Sequence, residues 1–280
     1  MVVLYLFIVI LFSKIQTVAK KEYTIRAKSG TAFSYLAVAS FFAILFYVIS
    51  SGFKFKFSLS FLVYSLAFGS FTAIAETTTI YALKNGPLSI TGLILSYSLL
   101  VPTIYGIAFL QEELSTFNIA GMVLVFIALF LIFVKKSHEK FSFKWFICVS
   151  VAFFAHGGTA TVQKMQQIAC NGEYKNEFMI ASLLICFLVY IILSIVNKES
   201  YKAKASVICG AFDGISIGVI NLFVMMLMAS MKNAILFPTI SVSTIIANLA
   251  ISIFYYKESL TKLQLIGYAI GTVSIVLLNL

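Results

Sequence analysis

The chain has 280 residues, 61% of them hydrophobic and only 11% charged, and its mean hydropathy is +1.03. A soluble domain of this length cannot bury that much apolar surface in one core, so the solvent for most of the chain is lipid. The net charge of +10 does not point to nucleic acid, because no basic stripe alternates with exposed aromatic residues.

A helix that crosses a bilayer needs about 20 mainly apolar residues. Ten such runs fit between the polar breaks, at 1–19, 31–50, 58–83, 88–110, 116–134, 143–167, 178–196, 204–230, 235–256 and 262–280. Stretches such as Phe41-Phe42-Ala43-Ile44-Leu45-Phe46 lack the period-two alternation of barrel strands. The expected fold class is therefore an all-α integral membrane bundle of ten transmembrane helices.

The first run has no basic leader and no small-residue cleavage site, so it reads as a span and not as a signal peptide. Lys14 lies close enough to its end to snorkel to the interface. In the third run Gly69, Thr72, Glu76 and Thr79 follow 3-4-3 spacing and share one small, polar face. A carboxylate in hydrocarbon costs about 2.5–3.5 kcal/mol on insertion scales, so Glu76 is expected to face a cavity or a partner. The fourth run offers Ser89, Ser96, Tyr97 and Thr103, with Pro102 among them.

Before the fifth run, Glu112 precedes Ser115, with Asn118 three residues on. Ser115 suits an N-cap and the pair approximates a capping box, while Glu112 suits the positive end of that helix. Trp145, beside Lys144, reads as an interfacial anchor of the sixth run. His156 lies mid-run, and Thr159 and Gln163 continue its face. A buried histidine is either a satisfied hydrogen-bonding residue or a proton shuttle.

The eighth run carries Asp213, then Gly214 and Gly218, a small-xxx-small face for close helix packing, and then Asn221. Asp213 either takes part in function or pairs with Lys202 or Lys204. The ninth run places Ser241, Thr244, Asn248 and Ser252 on one polar face, with Pro238 inside it. Cys148, Cys170, Cys186 and Cys209 are scattered without metal or CxxC spacing and read as apolar fillers.

The two halves of the chain repeat. Lys84-Asn85 opens an apolar run that ends at Glu112-Glu113-Leu114-Ser115, followed by Gly121. Lys232-Asn233 opens another that ends at Glu258-Ser259-Leu260-Thr261, followed by Gly267. Thr17-Val18-Ala19-Lys20 matches Thr161-Val162-Gln163-Lys164, and Ala67-Phe68-Gly69 echoes Ala211-Phe212-Asp213. The expected domains are a first five-helix repeat over 1–138 and a second over 139–280. An odd number of spans inverts the second copy, an arrangement suited to alternating access. Loops on the side opposite the termini hold most of the lysines, which by the positive-inside rule puts both termini outside.

The twice-written Glu-x-Leu-Ser/Thr turn, carried by Glu112, Leu114, Ser115 and Gly121 and by Glu258, Leu260, Thr261 and Gly267, resembles the EamA-type members of the drug/metabolite transporter superfamily. The resemblance covers essentially the whole chain. It implies a ten-helix transporter with cytoplasmic termini, the reverse of the charge count.

The expected function is secondary transport of a small organic metabolite or drug across the cell membrane, by proton coupling or exchange, without a cofactor and without enzymatic chemistry. No HExxH, GxSxG or phosphate-binding glycine loop points to an enzyme or to nucleotide use. The expected partners are a small-molecule substrate and the lipid bilayer, in a monomer or homodimer of a bacterial inner or plasma membrane. Glu76 is the leading coupling or substrate residue, with Asn221 within a residue of its repeat position, and His156, Asp213, Thr72, Thr79, Gln163, Tyr97 and Asn248 complete the candidate set. The rival reading is a lipid-handling or flippase-type subunit. A side-open groove would favour it, and a closed central cavity would favour a solute carrier.

Overall fold

The computed structural model describes residues 1–26, 32–56, 58–85, 94–95, 97–133, 143–199, 204–254 and 262–278. Ten α-helices are described among them: α1 (Val2–Arg26), α2 (Ala32–Ser50), α3 (Leu62–Asn85), α4 (Leu100–Ala108), α5 (Thr116–Phe133), α6 (Phe143–Ala169), α7 (Lys175–Val196), α8 (Lys204–Met228), α9 (Asn233–Phe254) and α10 (Lys262–Leu278). No strand occurs among the described residues. Each of the ten apolar runs overlaps one of these helices. Six of them, α1, α2, α3, α6, α7 and α8, are long and apolar enough to cross a membrane.

The helices carry large apolar side chains on the outside as well as in the core. Phe7, Phe41, Phe130, Phe154, Leu188 and Ile195 are exposed, whereas Ser34, Gln166, Ser182, Ser194, Asp213 and Asn233 are fully buried. Large apolar side chains spread over the outside of a water-soluble monomer would be an aggregation liability. In hydrocarbon they cost nothing, and it is polar groups that turn inward.

The chain divides into two compact units that interleave its halves. The first takes Met1–Thr77 and Gly158–Ser230, and the second takes Thr78–Gly157 and Met231–Leu280. The long helices α3 and α6 each contribute one end to either unit.

In the first unit α1 packs on α8, and α2 packs on both α7 and α8. Its core gathers Tyr47, Phe61, Phe68, Phe178, Met179 and Met225. The closest approaches are made by glycine. A β-carbon at Gly214 would overlap the Ala39 carbonyl oxygen and press on Phe42, so α2 and α8 touch there through backbone. At Gly69 of α3 a β-carbon would lie 2.8 Å from the Ser182 carbonyl oxygen and 3.0 Å from Ile185 of α7. The two contacts have the same form, a carbonyl oxygen and the side chain three residues later. Gly210 continues the first row against the Tyr35 carbonyl oxygen. Ser65 continues the second by donating to the Phe178 carbonyl oxygen at 3.2 Å.

The α6–α7 reversal closes at Gly172, whose φ of +74° lies in the left-handed region that favours glycine. Its N–H donates to the Gln167 carbonyl at 2.8 Å.

In the second unit α5 packs on α10, and α9 packs on α4, α5 and α10. Ser115 and Asn118 form the predicted capping box of α5, each side-chain oxygen accepting from the other's backbone N–H at 3.1 Å. Glu112 departs from expectation. Its carboxylate accepts from the backbone N–H groups of Asn233 and Ala234, each at 3.0 Å. It therefore caps the start of α9, a helix far along the chain, instead of the helix that follows it. The orphan donors of any helix start attract a carboxylate, and here the Gln111–Ser115 reversal carries Glu112 to another helix. Gly106 makes room, since a β-carbon there would lie 2.6 Å from the Glu112 Oε2. Lys232 adds a hydrogen bond to the Glu113 carbonyl.

Trp145 is 7% exposed and packs with Ala82 and Val149 as a core residue. Lys14 is also buried, at 8% exposure, instead of reaching outward. Helix α1 continues to Arg26 and so places Lys14 near its middle. The second-copy turn residues Glu258 and Thr261 lie outside the described residues.

Candidate functional site

The first unit brings four polar residues of four helices together. Lys20 of α1 forms an ion pair with Glu76 of α3, its Nζ lying 3.1 Å from Oε2 and 3.3 Å from Oε1. Tyr35 of α2 donates its hydroxyl to Asp213 Oδ2 of α8 at 2.7 Å. Asp213 lies close enough to Lys20 and Glu76 for their charges to interact, and Gln16 lies beside it. The cluster is graded in access: Lys20 is 35% exposed and Glu76 17%, whereas Asp213 is fully buried. Tyr23 stacks on Tyr35 with ring centroids 4.0 Å apart and planes 14° apart.

Local sequence explains the convergence. Gln16, Lys20 and Tyr23 fall on one face of α1 at 4-3 spacing. Tyr35 is in the first turn of α2, and Gly210 and Gly214 let α8 approach closely enough for Asp213 to meet it. In α3, Glu76 lies about two turns beyond Gly69, whose absent side chain seats α3 against α7. Burial in hydrocarbon makes each of these charges costly unless paired, so the cluster is held together by the cost of separating it.

The same unit holds a neutral polar group from the second half of the chain. Gln163 Nε2 donates to Asn221 Oδ1 at 3.3 Å, and the Lys164 Nζ donates to the Met228 carbonyl at 3.0 Å. Glu76 and Asn221 each bond within the first unit, Glu76 to Lys20 and Asn221 to Gln163. They do not bond to each other. Thr72, on the Glu76 face, is engaged through its backbone, where the Tyr190 hydroxyl donates to its carbonyl at 3.5 Å.

The other candidates fall in the second unit. Thr79 Oγ1 and His156 Nε2 are hydrogen-bonded at 3.0 Å. Tyr97 stacks on Phe126 and borders a cavity of about 20 Å³ together with Thr103, Pro238 and Ser241, room for about one water. Helix α9 runs through Pro238. Asn248 is on α9, and its side chain lies outside those described, as do Lys202 and the side chain of Lys204.

Lys20 and Tyr35 are the members that the sequence did not single out. The apolar run of α1 ends at residue 19, which puts Lys20 in the loop. Its match to Lys164 within the Thr-Val-x-Lys repeat is the signal that marks it.

No family model matches the chain, and no curated protein matches it significantly. One solved crystal structure, described only as that of a protein, is similar over 100% of this chain and 98% of its own, with a TM-score of 0.80 and 14% sequence identity. At that identity the likeness shows the fold alone: an all-helical chain whose long apolar helices are compatible with a multi-pass membrane protein.

Proposed function

We propose that the protein is a ten-helix secondary transporter of the EamA type that moves a small organic solute across the cell membrane by alternating access. The observation that carries this reading is the ion-paired cluster of Lys20, Glu76, Asp213 and Tyr35. Charged groups at membrane depth usually face a pathway or a substrate. Lys20 and Glu76 retain partial exposure, as a solute site requires.

The inverted repeat is supported by the paired contacts of Gly69 on α7 and Gly214 on α2. Each glycine and its partners in one contact stand about 144 residues from their counterparts in the other. The pseudo-symmetry would relate α1–α5 to α6–α10, and exchanging the two copies would exchange inward-open and outward-open states.

A second reading, lipid handling, is favoured by a different observation. An open groove of about 440 Å³ runs along α1 and α8, lined by Leu11, Ile15, Val18, Ile208 and Phe212, with Lys14 and Glu22.

Uptake into proteoliposomes, screened over amino acids, amines and sugars with and without a proton gradient, separates the two. Accumulation of one solute class above protein-free vesicles is the expected result. Movement of a fluorescent phospholipid between leaflets, with no solute uptake, would favour the second reading and end the first.

A further inference from the structure

Helix α1 uses two faces. Gln16, Lys20 and Tyr23 turn to the ion-paired cluster. Leu11, Lys14, Val18 and Glu22 follow 3-4-4 spacing on another face and line the groove of about 440 Å³ along α1 and α8. Both helices belong to the first unit. The volume falls within the range of about 300–1,000 Å³ usual for a ligand site. Leu11, Ile208 and Phe212 are exposed along the groove, so in a bilayer it meets lipid, whereas Lys14, which also lines it, is buried.

Polarity changes along this face in one direction. Glu22 stands past the end of the apolar run at residue 19, where a helix reaches the headgroups. Lys14 lies two turns further in, about 12 Å by helical rise. Beyond it the face is apolar, with Leu11, Phe7 and Leu4 exposed. The order acid, base, hydrocarbon is the complement of a zwitterionic phospholipid, which runs from the surface inward as ammonium, phosphate and acyl chain. The long, flexible lysine stem spans part of the rise between the two charges. A headgroup with no ammonium would leave its negative charge beside Glu22 uncompensated.

We propose that the α1–α8 groove is a resident site for phosphatidylethanolamine, with the lipid ammonium on Glu22, its phosphate on Lys14 and an acyl chain along Leu11, Ile208 and Phe212. The Lys14 ammonium has several donors and the Glu22 carboxylate several acceptor positions, so each takes a lipid atom beside its partners within the protein. The inference needs only that α1 and α8 span a membrane, and it stands apart from what the protein moves.

The test is native mass spectrometry of the full-length protein, released from detergent after incubation with equimolar dioleoyl phosphatidylethanolamine and dioleoyl phosphatidylglycerol. The second lipid has the same phosphate and chains but no ammonium. Wild type is expected to retain one phosphatidylethanolamine in about tenfold preference, the scale of one hydrogen bond to a charged group. Glu22→Gln should bring the two lipids close to parity. Lys14→Met should lower retention of phosphatidylethanolamine about tenfold, and Lys14→Arg should restore it. The preference is read within each spectrum, and that of the wild type needs no variant, so a variant that folds poorly does not blunt the test. No retained lipid on the wild type, equal retention of the two lipids by the wild type, an unchanged preference in Glu22→Gln, or undiminished retention in Lys14→Met each overturns the proposal.

Discussion

At the scale of single residues, the chemistry turns on which charge meets which. Glu76 was legible in the sequence because a carboxylate within an apolar run is costly and must be placed for a reason. Its partner was not, because hydropathy ends the first span at residue 19 while α1 continues through Lys20 to Arg26. The end of an apolar run does not end a helix, and the extra turns carry Lys20 inward. Lys20→Met is expected to leave Glu76 poorly paired and to lower stability by about 2 kcal/mol, the usual scale for losing a hydrogen bond to a charged group. Thermal unfolding in detergent can be followed with a thiol-reactive dye, since Cys170, Cys186 and Cys209 are buried free thiols. The Lys20→Met/Glu76→Leu pair should recover most of the loss, and a double-mutant cycle that shows the two changes to be additive would contradict the pairing. Asp213 illustrates the converse limit. Its neighbour could be guessed only within its own loop, whereas the real partner, Tyr35, lies far back in the chain and reaches it through packing.

At the scale of elements, small residues set how closely helices approach. The Gly214–Gly218 spacing announced a close contact of α8, and the structure supplies its partner, α2. Gly69 gave no comparable signal, because a lone glycine in an apolar run has many uses. Its meaning emerges only when its contact with Ser182 and Ile185 is set beside that of Gly214 with Ala39 and Phe42. Gly69→Val and Gly214→Val should each destabilise by about 1–3 kcal/mol or more, the cost of overpacking, measured by the same thermal assay. Equal tolerance of valine at both sites and at exposed positions would refute the tight contacts. The Glu112 turn shows a motif correctly recognised and partly misassigned. Ser115 and Asn118 cap their own helix as composition predicts, but Glu112 serves α9. Glu112→Ala is expected to cost about 1 kcal/mol, the scale of a lost N-cap, and to speed amide exchange at Asn233 and Ala234 while leaving the start of α5 protected.

At the scale of the molecule, the ten apolar runs and the repeated turns were readable because hydropathy and spacing are written linearly. The grouping of helices was not. Compact units that take α1, α2, α7 and α8 together depend on contacts between residues more than a hundred positions apart, and nothing in a linear pattern says which apolar faces will meet. The neutral pair of Gln163 with Asn221 likewise becomes visible only in the structure, because its members lie 58 positions apart in the chain.

The claim that joins these scales is that solute passes by way of the ion-paired cluster at Glu76. The direct measurement is uptake of the solute found by screening into proteoliposomes that hold equal amounts of folded wild-type or Glu76→Gln protein, across a range of pH. The expected result is that the glutamine variant falls to the level of protein-free vesicles. Transport by Glu76→Gln at the wild-type rate and with the wild-type pH dependence would contradict the account.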